Sequence, residues 1–228
     1  MVLRLLNGLR DTLLQAISKQ QKKVREISEK AGIKCDSYGS YLNHFSRGDY
    51  RVLEESDILP YIQTTEALVA KCLKIWAGWK WSWEADEEYF DLIVKNSQLI
   101  CDLAKEKGIT IAFEYHRHTL TDTRFAALHL IEKIKRDNAK LYWQYNGCIT
   151  DAENIMELKM VTKCLENVHV GYCTHDFQSY ELSEGYKQWK EYTDIIRSDG
   201  KDHNMYIEGV KDGTFEQFRK DAKTLLEL

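Results

Sequence analysis

The chain has 228 residues, 43% hydrophobic and 30% charged, with a formal net charge of −4. That balance describes a soluble globular protein able to bury a core without staples. It offers no basic surface to a nucleic-acid backbone, and no apolar run reaches the roughly eighteen residues a membrane span needs. The six cysteines at 35, 72, 101, 148, 164 and 173 make no C-x-x-C pair. A reduced, cytoplasmic chain without a cysteine metal site is therefore expected. Met1 to Gly8 is apolar but too short for a signal peptide, and it lacks a small-residue cleavage site.

Leu9, Leu13, Ile17, Val24 and Ile27 recur at helical spacing, and Gly32 closes that helix. Ile33 to Tyr38 reads as a strand. Ser56 or Asp57 caps a helix over Ile58 to Ala70, with Pro60 in its first turn. Leu73 to Ala77 is a strand. Phe90, Ile93, Ser97, Ile100 and Ala104 line one helix face, stopped at Gly108. Ile109 to Tyr115 is a strand, Thr123 to Lys135 a helix and Lys140 to Tyr145 a strand. Asp151 caps a helix carrying Ile155, Leu158, Val161 and Leu165. Asn167 to Cys173 is a strand, Gly185 to Arg197 a helix and Asn204 to Val210 a strand. The last helix opens with Thr214 and Gln217 at capping-box spacing and buries Phe215, Phe218, Ala222 and Leu225.

About six strand–helix units in this alternation imply a parallel sheet with right-handed crossovers. No linker divides the chain, so residues 1–228 are read as one domain. A doubly wound open sheet would fit the alternation too, but no G-x-G-x-x-G or Walker pattern supports a nucleotide site. The strand ends favour a barrel. Ile109, Ile111 and Phe113 share one face; Thr110, Ala112 and Glu114 share the other. Leu141 and Trp143 oppose Tyr142 and Gln144. Val168 and Val170 oppose Asn167, His169 and Gly171. Met205 and Ile207 oppose Tyr206 and Glu208. Each strand thus has an apolar face for a ring of helices and aims one metal-competent or hydrogen-bonding side chain the other way. In a closed parallel barrel that direction is the axis, and Glu114, Gln144, His169 and Glu208 would meet at its C-terminal mouth. Two carboxylates, an imidazole and an amide oxygen suit Mn²⁺, Mg²⁺ or Co²⁺, with Zn²⁺ a borderline case.

Several runs resemble the sugar phosphate isomerase/epimerase family of xylose-isomerase-like TIM barrels: Ser37 to Tyr41, Lys74 to Gly78, Phe113 to Thr123, Leu141 to Gln144, Asn167 to Val170 and Tyr206 to Val210. The E-x-H-x-x-T-L-T-D-T stretch from Glu114 and the Tyr142-Trp143-Gln144 strand are the most specific. The resemblance runs from about residue 9 to the end. It implies a divalent metal held by Glu114, Gln144, His169 and Glu208, with Gln144 where better-known epimerases carry Asp. It also implies that the barrel lacks its first one or two strands. A shortened barrel leaves unpaired edges, so the chain is expected to pair with a second copy or to be a shortened product of a longer gene.

Members of that family mostly move a proton between adjacent carbons of a ketose or aldose. A small carbohydrate, or its phosphate, is thus the implied substrate, and Glu114 and Glu208 the two bases. His116, His175, Trp76, Tyr38 and Arg117 are the candidate substrate contacts. Trp76, Trp79, Trp81 and Trp83 offer ring faces suited to sugar C–H bonds, or a lid. Arg117 and Lys80 have no Gly-rich loop beside them, which speaks against a phosphorylated substrate. A metal-dependent lyase or hydrolase on the same barrel is the alternative, and a non-catalytic binding or assembly module is the alternative from another class.

Overall fold

A computed structural model describes residues 19–46, 48–175 and 178–228. Residues 19–30 are helical (α1). There follow β1 (Ser37–Gly39), α2 (Glu55–Ala67), β2 (Cys72–Ile75), α3 (Glu87–Lys105), β3 (Thr110–Glu114), α4 (Arg124–Ile134) and β4 (Ala139–Gln144). Then come α5 (Asp151–Val161), β5 (Leu165–Val170), α6 (Tyr186–Arg197), β6 (Asn204–Ile207) and α7 (Phe215–Leu226). The expected positions Met1 to Gly8, Leu9, Leu13 and Ile17 lie outside the described residues.

All neighbouring strands are parallel, and their order is the order of the chain, β1 to β6. A doubly wound sheet would reverse its strand order at a switch point; this sheet never does. It is the curled half-barrel expected of a shortened TIM barrel. Among the described residues β1 and β6 each keep one unpaired edge.

The pleat sorts the side chains as the alternation predicts. Leu73, Ile75, Ile111, Phe113, Leu141, Trp143, Val168 and Val170 are wholly buried on the helix side, against Ile58, Ile62, Ile93, Ile100, Leu130, Leu158 and Trp189. Burying each such side chain stabilises the fold by about 1.5–3 kcal/mol. On the concave side a smaller cluster of Cys72, Ala112, Tyr142 and the half-buried Tyr206 floors the sheet.

Helix starts follow local chemistry. Asp86, Thr123, Thr150 and Thr214 each accept a hydrogen bond from a backbone N–H in the first turn. The cap of α5 is therefore Thr150, boxed with Glu153, and not Asp151. In α2 Asp57 is the third helical residue; its carboxylate accepts the Glu54 N–H and pairs with Arg51. The α5 helix ends earlier than its apolar pattern suggests: Leu165 opens β5 after a 3-10 turn.

Two helices correct the expected burial. Val24 and Ile27 of α1 are exposed. In α7, Phe215 is 74% exposed and Phe218 41%, whereas Gln217 and Asp221 are buried. Asp221 accepts the Leu182 N–H and the Gln217 amide, so polar contacts seat this helix. Phe215 and Phe218 stay exposed, while Leu225 further along the helix packs against the main core. No described helix is long and apolar enough to cross a membrane.

Trp189 ties α6 to the end of β5: its indole N–H donates to the Gly171 carbonyl at 2.8 Å, and it packs on Trp143 and Tyr192. Trp189→Ala is expected to cost about 3–5 kcal/mol in urea unfolding and Trp189→Phe about 1–2 kcal/mol. The Arg51 guanidinium holds the Asp57 carboxyl down at about 2, below its ordinary 3.8. Because the folded value is the lower one, this contribution is present above about pH 4 and disappears as the pH falls towards 2. Thermal melts should show Asp57→Asn about 1 kcal/mol less stable than wild type at pH 7 and indistinguishable from it near pH 2.

Candidate metal centre

Four strand ends deliver the polar side chains of the concave face to one place. Glu114 ends β3 and Gln144 ends β4, while His169 is the last but one residue of β5. Glu208 follows β6, where its backbone N–H donates to the Val170 carbonyl at 2.8 Å. His169 Nδ1 lies 3.0 Å from Glu208 Oε2, 3.3 Å from Gln144 Oε1 and 3.5 Å from Glu114 Oε1. Among the described residues, Glu114, His169 and Glu208 are the one group of His, Cys, Asp or Glu donors able to share an ion. Ligands about 2.1 Å from a common cation sit roughly 3.0 Å apart in an octahedron and roughly 3.4 Å apart in a tetrahedron. The His169 contacts run from 3.0 to 3.5 Å, and the donor atoms of Glu114, His169 and Glu208 all lie within 4.8 Å of one another, so the donor set suits a divalent cation in chemistry and approaches it in spacing.

The surroundings fix these groups. Glu114 is almost fully buried, and its second oxygen, Oε2, takes a hydrogen bond from Lys74 Nζ at 2.5 Å. The Tyr142 ring lies 4.5 Å from the His169 ring. The hydrogen bond from His169 holds the Glu208 carboxyl below its ordinary range, and the charges of Lys74 and His116 act the same way. Glu208 is more than half-exposed and faces a cavity of about 270 Å³. His116, Arg117, Gln144, His169, Asn146 and Trp81 also line that cavity.

The T-L-T-D stretch after β3 is a built turn. Thr119 and Thr121 are wholly buried and bond each other; Thr121 Oγ1 donates to the Glu114 carbonyl, and the Leu120 N–H to the Ala77 carbonyl. Asp122 accepts the Ser82 N–H, which binds the β2 and β3 exit loops together. These hydroxyls position Glu114 and do not face the cavity.

The other candidates divide. His116 is half-buried; its Nδ1 contacts the Arg117 carbonyl at 2.7 Å, and burial lowers its pKa. A carbonyl only accepts, so Nδ1 carries the hydrogen and Nε2 keeps its lone pair. Trp76 lies behind it, 4.6 Å ring to ring, within an aromatic wall with Tyr41, His44 and Trp79. Trp81 reaches the cavity, whereas Trp83 is 76% exposed. Lys80 lies over the Tyr89 ring at 4.4 Å. Three expected substrate contacts are not brought to the cavity: Trp76, buried behind His116, Tyr38 and His175. Tyr38 pairs with Leu73 in register and packs on the helix-side core, because β1 has the same pleat as β2. His175 is exposed in the loop after β5, where its carbonyl meets the Cys148 thiol at 3.6 Å.

Lys74 is the residue that reading strand ends missed. Cys72, Lys74 and Trp76 alternate with Leu73 and Ile75, so the test applied to the other four strands would have found it.

Comparison with known proteins agrees with the fold. The family model described as a xylose isomerase-like TIM barrel matches residues 6–228. The chain belongs to that family. No curated protein sequence matches the chain. Among solved structures it is similar to a D-tagatose 3-epimerase-like protein (TM-score 0.72, 14% identity, covering 92% of this chain and 82% of that one). It is also similar to the probable 3-DHS dehydratase AsbF from Bacillus anthracis (0.72, 14%, 92% and 81%) and to the 3-keto-D-glucoside 4-epimerase YcjR from E. coli (0.71, 12%, 94% and 86%). At these identities the likeness is one of fold.

Gly171 brings two strand ends close enough for the cluster to form. A Cβ there would stand 2.5 Å from the Glu208 carbonyl oxygen. Gly171→Ala should therefore push Glu208 away from His169. A crystal structure of the variant is expected to show their 3.0 Å contact lengthened, and urea melts a loss of about 1–3 kcal/mol.

Proposed function

We propose that this chain is a divalent-metal-dependent isomerase or epimerase of sugars, acting by proton transfer next to a carbonyl. One observation carries the reading: donors from four strand ends gather at His169, and three of them, Gln144, His169 and Glu208, line a cavity of about 270 Å³. The solved structures of similar fold include sugar epimerases, which supports the same class.

Glu114 Oε1, Gln144 Oε1, His169 Nδ1 and Glu208 Oε2 would hold the cation. When bound, such an ion polarises a substrate carbonyl and makes the neighbouring C–H more acidic. The protein's own part is to hold the sugar and carry the proton. Glu114 Oε1 and Glu208 Oε2 are the two carboxylate oxygens beside the His169 ring nitrogen, and we assign them as the pair of bases. Two such bases allow the proton to leave one face and return to the other, as epimerisation requires. Glu208 is the more open of the two and is kept ionised by His169. His116 Nε2, with its lone pair free, is suited to accept a substrate hydroxyl. Trp81 gives the cavity an aromatic face against which sugar C–H bonds pack.

The test uses the whole chain, stripped with a chelator and reloaded with Mn²⁺. About one Mn²⁺ per chain is expected, lost in His169→Ala and Glu114→Gln. With ketoses and aldoses in heavy water, deuterium should enter at the carbon beside the carbonyl. Glu208→Gln should slow that exchange roughly 10²–10⁴-fold. Wild-type protein that retains no Mn²⁺ and exchanges no proton would end this reading.

A further inference from the structure

Lys74 is the unexplained charge at this centre. It stands on β2 one strand before Glu114, with its side chain 15% exposed, and makes its ion pair with a carboxylate that is itself 4% exposed. The ammonium also lies 5.4 Å from the centre of the Trp76 ring. The chain makes room for it: a Cβ at Gly39, in register on β1, would come within 3.2 Å of Lys74 Cε. Stability does not account for the pair, since taking two charges out of water costs about what their attraction returns. A Met or Leu opposite a Gln would pack there as well.

Its placement has two effects. First, Glu114 is divided: Oε2 is committed to Lys74, and only Oε1 faces His169. Glu114 is thereby held to one free oxygen at a fixed angle. Second, the charge of the whole centre changes. Gln144 and the imidazole of His169 bring no charge as ligands. The carboxylates of Glu114 and Glu208 alone cancel a divalent cation, so Lys74 leaves the loaded centre one unit positive. A neutral sugar gains little from that excess, but an ionised enediol gains from a positive charge already fixed in place.

We infer that Lys74 is a positioning residue that opposes the cation and favours the anionic form of the substrate. This rests on the metal-dependent reading above and adds to it a specific division of labour. Lys74 sets Glu114 as a one-oxygen ligand and supplies a fixed positive charge, so the centre gives up cation affinity and gains affinity for a planar anion.

The probes are Mn²⁺ alone and then oxalate, a planar dianion shaped like an enediolate, each followed by calorimetry and by the Mn²⁺ electron spin resonance signal. Lys74→Gln keeps a hydrogen-bond donor for Glu114 and removes the charge. It should bind Mn²⁺ roughly tenfold tighter than wild type, while the Mn²⁺-loaded variant binds oxalate roughly tenfold more weakly. Lys74→Arg keeps the charge and should hold oxalate within about threefold of wild type. A lysine with a merely structural task predicts the opposite first sign: its loss would disorder Glu114 and weaken Mn²⁺ binding. Weaker Mn²⁺ binding in Lys74→Gln, or an unchanged oxalate affinity, overturns the role given to Lys74 and leaves the metal centre standing. A wild-type chain that binds no Mn²⁺ overturns both. If Lys74→Gln does not fold, Lys74→Arg decides: tighter Mn²⁺ or a tenfold loss of oxalate in that variant overturns the role, and wild-type values for both sustain it.

Discussion

The alternation of the β-strand in a parallel sheet of sequential order is the constraint on which this protein rests. Each strand has two faces, and the helices can cover only one of them. Apolar residues at every second position therefore pack outward into the helix layer, and the intervening ones are committed to the concave side whatever their chemistry. Because all strands run the same way, their C-terminal ends lie together. Residues far apart in the chain, such as Glu114, Gln144 and His169, meet there without any local contact between them. The hydrogen bond from Lys74 to Glu114 and the contacts of His169 with three carbonyl-type oxygens are consequences of that arrangement.

The same arrangement explains why loops and glycines matter here more than their sequence suggests. The buried threonines at 119 and 121 hold the Glu114 backbone. Gly171 lets the end of β5 approach Glu208 closely enough for the imidazole to reach it. Gly39 leaves space for the stem of Lys74. None of these residues offers a ligand atom, but each decides whether one arrives. An open edge has a different consequence. Phe215 and Phe218 of α7 and Val24 and Ile27 of α1 are exposed at opposite ends of the strand order, where a closed barrel would continue. There α7 is seated by the contact of Asp221 with Leu182 together with Leu225 against the core.

Much of this was readable from the chain. The six strands fall where alternation places them, and the four donors come from the strands whose concave faces carry Glu114, Gln144, His169 and Glu208. The errors share one physical origin. Tyr38 was grouped with the site because it sits in a run resembling the family, but the pleat of β1 sends it to the helix side. Phe215 and Phe218 were given a buried face because helical spacing says which residues lie together, not whether anything stands opposite. His175 was placed by its distance along the chain from His169, and the loop after β5 carries it out to solvent.

By itself the sequence determined the alternation of strands and helices, the parallel class of the sheet and which side chains turn away from the core, because pleat and helical period are properties of the local backbone. Tertiary structure alone decided that Lys74 meets Glu114, that Glu114 keeps only one oxygen for a cation, and that His175 stands apart. Those outcomes depend on register between strands and on close approach of backbones far apart in the chain, and no local pattern encodes either.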